Sequence, residues 1–326
     1  MASDRTATIV VLDPLAPASF ERLKALMPPG FSIRCASQRG DEHLKSIIAE
    51  ADFAIAGQVG VSGEVLRAAA KLRLLHKWGV GVDNIDLETA RELGIRVART
   101  TGSNALPVAE FTLGLMICAM RGLASGHAQL QQGRWRGFAV SPEPLLISGK
   151  TVGIVGFGAI GQQLARLLSA FGCRILYSKR DPLPPSEERA LGAHFAEIGQ
   201  LLRESDVVSL HCPLTPQTAG MIDRAALQSM KRTAVLVNTA RGGIVVESDL
   251  CWALANGVIR AAATDVFEHE PLPADSPLLG LHNLVTTPHL AALSVDTYVP
   301  TVSRMYANFE RVTRGEPVPP HELVVG

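Results

Sequence analysis

The chain has no surplus of charge: Lys plus Arg and Asp plus Glu number 31 each, a formal net charge of 0. It therefore lacks the electrostatic footprint of a partner for nucleic acid or an anionic membrane surface, and charge must act locally. Cysteine is scarce, with 5 among 326 residues. Cys35, Cys118, Cys173, Cys212 and Cys251 are odd in number, widely scattered and set in mostly apolar stretches, so a disulfide framework is excluded and reduced core thiols are expected. CxxC and HExxH spacings are missing and the 9 histidines form no ligand cluster, so no dedicated metal site is expected. No apolar run reaches the roughly 20 residues that span a bilayer. The first residues, MASDRTATIVVLD, lack the basic flank and long apolar core of a signal peptide, which makes the cytoplasm the expected location. Internal repeats and low-complexity segments are absent as well.

What is present is ample apolar material, 47% of 326 residues, enough for two cores in a chain beyond the usual single-core limit. Strand-like runs at Thr8–Leu12, Ser32–Cys35, Phe53–Ala56, Leu72–His76 and Ile95–Ala98 alternate with helix-like segments and predict a first parallel α/β unit. A second series follows at Thr151–Val155, Arg174–Tyr177, Val207–Leu210, Ala234–Asn238, Ile259–Ala262 and Leu284–Thr286. Between them, Pro107–Gln132 has room for one or two helices. Ser294–Arg314 carries a further helical pattern with no strand expected after it, so this helix must dock on something already built. Its expected place is the first domain, which becomes discontinuous: 1–104 with 294–326, against 105–293 for the second. Asp181–Ser186 reads as a Pro-rich turn, and the tail after Arg314 as loosely held.

The run Val152-Gly153-Ile154-Val155-Gly156-Phe157-Gly158-Ala159-Ile160-Gly161 is an apolar strand ending in GxGxxG and leading into a helix. Gly156 permits a tight turn, Gly158 lets backbone amides approach a pyrophosphate, and Gly161 lets the helix pack closely on the strand. The N–H groups of Ala159, Ile160 and Gly161 open a helix whose dipole favours a phosphate. A dinucleotide is the implied cofactor.

Three polar islands follow strands of the second series: Asn238-Thr239-Ala240-Arg241-Gly242-Gly243, Asp265-Val266-Phe267-Glu268-His269-Glu270-Pro271 and Thr286-Thr287-Pro288-His289. Ligands of open parallel sheets sit at the carboxyl ends of strands, so convergence on one cleft is expected. A guanidinium grips a carboxylate in two-pronged fashion, and an imidazole beside a carboxylate can donate a proton at neutral pH. Together they are what reduction of a keto acid requires.

These islands, with GVGVDNIDL at Gly79–Leu87, VAEFTLGLM at Val108–Met116, HCPLTPQT at His211–Thr218 and TPHLAA at Thr287–Ala292, resemble the D-isomer-specific 2-hydroxyacid dehydrogenases over nearly the whole chain. The resemblance implies two Rossmann-like α/β domains with parallel sheets, the discontinuous substrate domain being flavodoxin-like. It implies Arg241 as the grip on substrate carboxylate and carbonyl, His289 as acid and base, and Glu270 as its carboxylate partner. Backbone amides of Val80 and Gly81 hold the other side of the carboxylate. Along the cofactor it places Cys212, Pro213, Thr218, Thr239, Ala240, Ala291 and His289, with Asp265 against the nicotinamide carboxamide. Glu268 and His269 are expected to be solvated.

NAD-preferring relatives carry Tyr-Asp at the end of the second strand of this unit, where the acid accepts both ribose hydroxyls. Here Tyr177-Ser178 stands instead, followed by Lys179 and Arg180. Loss of the acid removes repulsion against a 2′-phosphate and the two cations can pair with it, so NADP(H) is the expected cofactor. NAD(H) is the alternative if Asp181 reaches back, although Pro182 biases its backbone outward. Glu270 argues against a formate dehydrogenase, which resembles this pattern with glutamine there, and Val80 against a phosphite dehydrogenase, where lysine is expected. Glyoxylate or hydroxypyruvate reduction is favoured over D-3-phosphoglycerate dehydrogenase, since no regulatory domain is expected after the closing helix. A corepressor branch of the same architecture, sensing dinucleotide without turnover, is the reading of another class. The resemblance further implies a homodimer through the helix around Glu110–Met120, and Trp135 and Leu293 are candidates for setting substrate size.

Overall fold

Short runs of Val, Ile, Leu and Ala with no polar alternation make strands buried on both faces, the signature of a parallel sheet covered by helices. The computed structural model describes residues 6–135 and 143–326. Met1–Arg5, weighed above for a leader peptide, lie outside the described residues. The chain divides into two compact units, Met1–Asn104 with Ser294–Gly326 and Ala105–Leu293. Five free cysteines are all half-buried, less deep than the core positions expected of them.

The first unit runs β1 (Ala7–Val11), α1 (Pro17–Ala25), β2 (Phe31–Cys35), α2 (Asp41–Ile48), β3 (Phe53–Ala56), α3 (Gly63–Ala68), β4 (Leu74–Lys77), α4 (Leu87–Glu92) and β5 (Arg96–Arg99). The second runs α5 (Ala105–Arg121), α6 (Leu123–Gln131), β6 (Thr151–Val155), α7 (Ala159–Ser169), β7 (Arg174–Ser178), α8 (Pro185–Leu191), β8 (Ala193–Phe195), α9 (Ile198–Glu204), β9 (Val207–Leu210), α10 (Arg224–Ser229), β10 (Val235–Asn238), α11 (Glu247–Ala255), β11 (Ala261–Thr264) and β12 (Leu284–Thr286). The chain then returns to the first unit with α12 (Val295–Thr313) and β13 (Leu323–Val325).

Strand order in the first sheet is β13-β5-β4-β3-β1-β2, parallel except for antiparallel β13, which is the flavodoxin-like order with one added edge strand. The second sheet, β12-β11-β10-β9-β6-β7-β8, is parallel throughout. Its order reverses between β6 and β9, and at such a switch point the loops leaving neighbouring strands diverge and open a crevice. Helix α7 shows how the sequence builds this: Gly161, Leu164, Ala165 and Leu168 form one buried stripe at helical spacing, while Gln162, Gln163 and Arg166 stay outside.

The tail is not loosely held, as expected above, because β13 joins the sheet through Arg99 N–H donating to Glu322 O at 2.9 Å. The Glu322 carboxylate is buried against α12, where it accepts from Asn308 Nδ2 at 2.6 Å and Arg304 Nε at 2.9 Å. That anchorage joins positions 14 and 18 residues apart, and nothing in the local Pro-rich pattern announces it. Strand β11 lies two residues later than the expected Ile259–Ala262, because Thr264 pairs with both Asn238 and Thr286. Strand β8 was unforeseen: three residues with one polar member carry no usable period. Among the described residues no single helix is long and apolar enough to cross a membrane.

Candidate active site and dinucleotide cradle

At the switch point, β6 delivers Gly156 into a left-handed turn with φ +91°. A Cβ there would overlap the Cys212 nitrogen and the His211 carbonyl, so the turn can press against the end of β9 only as glycine. A Cβ on Gly161 would stand 2.6 Å from Gly156 O, which explains how α7 comes so close to the turn. Gly158, the N-cap of α7, has no heavy atom within 4 Å of where its Cβ would be. Helix α7 has no side-chain cap and no acid in its first turn, so Ala159, Ile160 and Gly161 offer their N–H groups to that open space. These features fit a pyrophosphate.

Around the turn, Ser178 O accepts Gly156 N–H at 2.9 Å, fixing the end of β7 beside the glycines. Lys179 and Arg180 follow it, and neither forms an ion pair among the described residues. Burial pushes the Cys212 thiol up to about 11, so it stays protonated and packs as a small apolar group. Thr218 ties its own turn, donating to Pro213 O at 2.6 Å and accepting from Thr215 N–H at 2.8 Å. His211, part of a motif but given no role by sequence, is held neutral by burial, its pKa lowered to about 3; its Nε2 meets Ser209 Oγ at 2.9 Å.

Beyond β10, the Asn238 side chain shapes the next loop by donating to Arg241 O at 2.9 Å and accepting from Ala240 N–H at 3.0 Å. Thr112 of α5 donates to Val108 O at 2.6 Å, so in its 2.9 Å contact with Thr239 it accepts and Thr239 donates. Sequence reasoning missed Thr112, whose only signal is a polar residue on the buried face of an apolar helix. Gly242 packs directly on the Phe267 backbone, leaving no room for a Cβ. That close approach brings the loop of Arg241 onto the loop of Glu270.

Glu270 Oε1 accepts Phe267 N–H at 3.0 Å, and Oε2 lies 2.6 Å from His289 Nδ1. Burial opposes ionisation of Glu270, but the His289 and Phe267 hydrogen bonds with the positive fields of His289 and Arg241 outweigh it and hold the carboxyl below its usual range. Glu270 is thus an anion on one ring nitrogen, while Nε2 carries no hydrogen bond among the described residues and is directed by the fixed ring. His289 itself is left-handed, with φ 55°, an uncommon state for a residue other than glycine. Asp265, fully buried, braces this turn: Oδ1 accepts from Thr287 Oγ1 at 2.6 Å and Leu290 N–H at 2.8 Å, Oδ2 accepts from Ala291 N–H at 2.8 Å, and its carbonyl accepts His289 N–H at 2.8 Å. Neighbouring Glu268 and His269 are both exposed as expected, and at the surface Glu268 and Glu247 each donate a backbone N–H to the other's carboxylate, at 2.7 and 3.0 Å.

Val80 and Gly81 belong to the first unit, in the loop after β4, where Val80 O accepts Arg99 Nη1 at 3.2 Å. Trp135 and Leu293 are both largely exposed.

A glycine turn at the switch point of a parallel sheet, with an imidazole paired to a carboxylate on loops that leave other strands of the same sheet, marks a dinucleotide-dependent oxidoreductase. Residues 113–291 match the family described as D-isomer specific 2-hydroxyacid dehydrogenase, NAD binding domain. The chain is 41% identical over 265 residues to glyoxylate reductase of Korarchaeum cryptofilum, covering 80% of this chain and 79% of that one. It is 38% identical over 311 residues to D-3-phosphoglycerate dehydrogenase of Methanocaldococcus jannaschii, covering 94% of this chain but only 58% of that longer one. A solved structure from Thermus thermophilus superposes with a TM-score of 0.86 at 34% identity, covering 98% of this chain and all of the other. The chain belongs to the D-isomer-specific 2-hydroxyacid dehydrogenases, nicotinamide-dependent oxidoreductases that act on CH–OH donors.

Proposed function

We propose that this protein reduces a small 2-keto acid, glyoxylate or hydroxypyruvate, with NADPH. The observation that carries the chemistry is the 2.6 Å His289–Glu270 pair, on a loop packed against that of Arg241. When bound, the dinucleotide supplies the hydride. His289 Nε2 gives a proton to the keto oxygen while Glu270 holds Nδ1 and compensates the charge of the ring. Arg241 grips the carboxylate and stabilises the oxyanion that develops. In oxidation the same nitrogen takes the proton back.

The phosphates are assigned to the amides of Ala159, Ile160 and Gly161. Cys212, Pro213, Thr218, Thr239, Ala240 and Ala291 are assigned to the rest of the cofactor path, and Asp265 to the carboxamide end. Preference for NADPH is supported by Ser178 ending β7 in place of an acid and by Lys179 and Arg180 being without ion pairs among the described residues. Initial rates on glyoxylate, hydroxypyruvate and D-3-phosphoglycerate with each cofactor form are expected to be fastest in NADPH-dependent reduction of the first two. Turnover with NADH alone would reject the cofactor assignment, and turnover of phosphoglycerate alone would reject the substrate. Failure to turn over any 2-keto acid would favour a dinucleotide-sensing binding protein.

A homodimer through α5 and α6 is part of the same proposal. No residue of α6 is fully buried, and Leu106, Leu123 and Leu130 are 47%, 54% and 56% exposed, an apolar surface that association would cover. Light scattering is expected to give twice the 34.7 kDa chain mass, and a monomer mass at micromolar concentration would reject it.

A further inference from the structure

The cations assigned to cofactor choice sit on a segment with unusual backbone chemistry. From Asp181 to Pro185 the chain reads Asp-Pro-Leu-Pro-Pro, so between Asp181 and the start of α8 a single N–H remains, that of Leu183. Tyr177 takes it: Leu183 N–H donates to Tyr177 Oη at 2.8 Å, and Oη donates to Glu188 Oε1 at 2.7 Å. Glu188 Oε1 also accepts Phe195 N–H at 3.1 Å, which ties this group to β8. Among the described residues, no other hydrogen bond joins the stretch from Lys179 to Leu183 to the rest of the unit.

The other end of Tyr177 touches the phosphate side. Its ring, fully buried, stacks on Phe157 with centroids 4.3 Å apart and planes at 21°. Phe157 is the residue between Gly156 and Gly158, so one side chain spans from the glycine turn to the segment bearing Lys179 and Arg180. A buried tyrosine needs a partner for its hydroxyl, but a partner within its own core would serve that need equally well. Here both partners lie in the loop and helix beyond the cations.

We propose that Tyr177 is a selectivity-positioning residue, whose hydroxyl holds the Lys179–Arg180 segment in register with the 2′-phosphate of NADPH while its ring is keyed to the glycine turn. The proposal rests on the NADPH reading above. It separates two jobs: Ser178, Lys179 and Arg180 supply the chemistry that meets the phosphate, and Tyr177 supplies their posture without touching the cofactor's phosphate itself.

Calorimetric titration of the full-length protein with NADPH and with NADH tests it, using wild type, Tyr177→Phe, the double variant Lys179→Ala/Arg180→Ala, and the triple combination. Tyr177→Phe keeps the stack and loses only the hydroxyl, and is expected to reduce the NADPH:NADH affinity ratio about fivefold, the factor that one net hydrogen bond carries. NADH affinity should stay within about twofold, since no contact to an unphosphorylated ribose is removed. In the Lys179→Ala/Arg180→Ala background the same change should leave the ratio alone, because a residue acting through those cations has nothing left to position. Because the ratio is taken on one sample, loss of folded protein cancels. An unchanged ratio in Tyr177→Phe, or an equal loss in both backgrounds, would overturn the assignment while leaving the NADPH reading intact. A wild type with no preference for NADPH would overturn the cofactor reading first and this one with it.

Discussion

His289→Ala is expected to lower the turnover number by about a hundredfold to ten-thousandfold, the range that general acid catalysis supplies, and to change the Michaelis constant far less. Two features of the site set that split. The ring presents Nε2 because Nδ1 is held by Glu270 at 2.6 Å, so its contribution is to the proton that moves, whereas the substrate carboxylate is assigned to Arg241. The negative charge of Glu270 beside the ring also persists below the usual carboxylate range. Its carboxyl pKa is depressed in the folded protein, so the stability it contributes is present above the unfolded carboxylate value and is lost as pH falls through the lower folded value. Steady-state kinetics near neutral pH therefore probe a site in which the carboxylate is ionised. An unchanged turnover number in the variant would remove His289 from the mechanism.

The strand-end positions of Arg241, Glu270 and His289 were legible from sequence because each follows a strand of a parallel series, and in such sheets the carboxyl ends of neighbouring strands face one crevice. The glycine turn was legible because Gly156 and Gly161 are forced by backbone contacts that no side chain tolerates. What escaped was the support, because it depends on partners brought together by the fold rather than by a local period. Thr112 meets Thr239 across 127 positions, and Tyr177 reaches Leu183 only because β7 turns back through a proline-rich segment. The half-buried ion pair of Arg304 with Glu322 and the Asn308 amide, which hold β13, belong to the same class. A carboxylate in a Pro-rich tail reads as solvated until the helix that buries it is in place.

Asp265→Asn is expected to have the second-largest effect, and its kinetic pattern separates two roles for one carboxylate. The family resemblance puts Asp265 against the nicotinamide carboxamide, whereas the structure surrounds it with Thr287, Leu290 and Ala291 as donors on either side of His289. Asparagine presents an NH2 where one of the two oxygens stood. With Nδ2 toward Ala291 one N–H loses its acceptor; with Nδ2 toward Leu290 and Thr287, two donors do. Hydrogen bonds to a charged group carry about 1.5–3 kcal/mol each, while a left-handed residue other than glycine costs about 1–2 kcal/mol. Losing even one bond thus removes an amount comparable to what keeps His289 at φ 55°. If bracing dominates, the turnover number falls about tenfold to a hundredfold, corresponding to roughly 1.4–2.7 kcal/mol at the transition state, and the dissociation constant for the dinucleotide moves little. If the carboxamide contact dominates, affinity for the dinucleotide falls by at least as large a factor as turnover. Measuring both quantities on the same variant decides between them, because a brace on the acid and a grip on the cofactor cannot give the same pair of numbers.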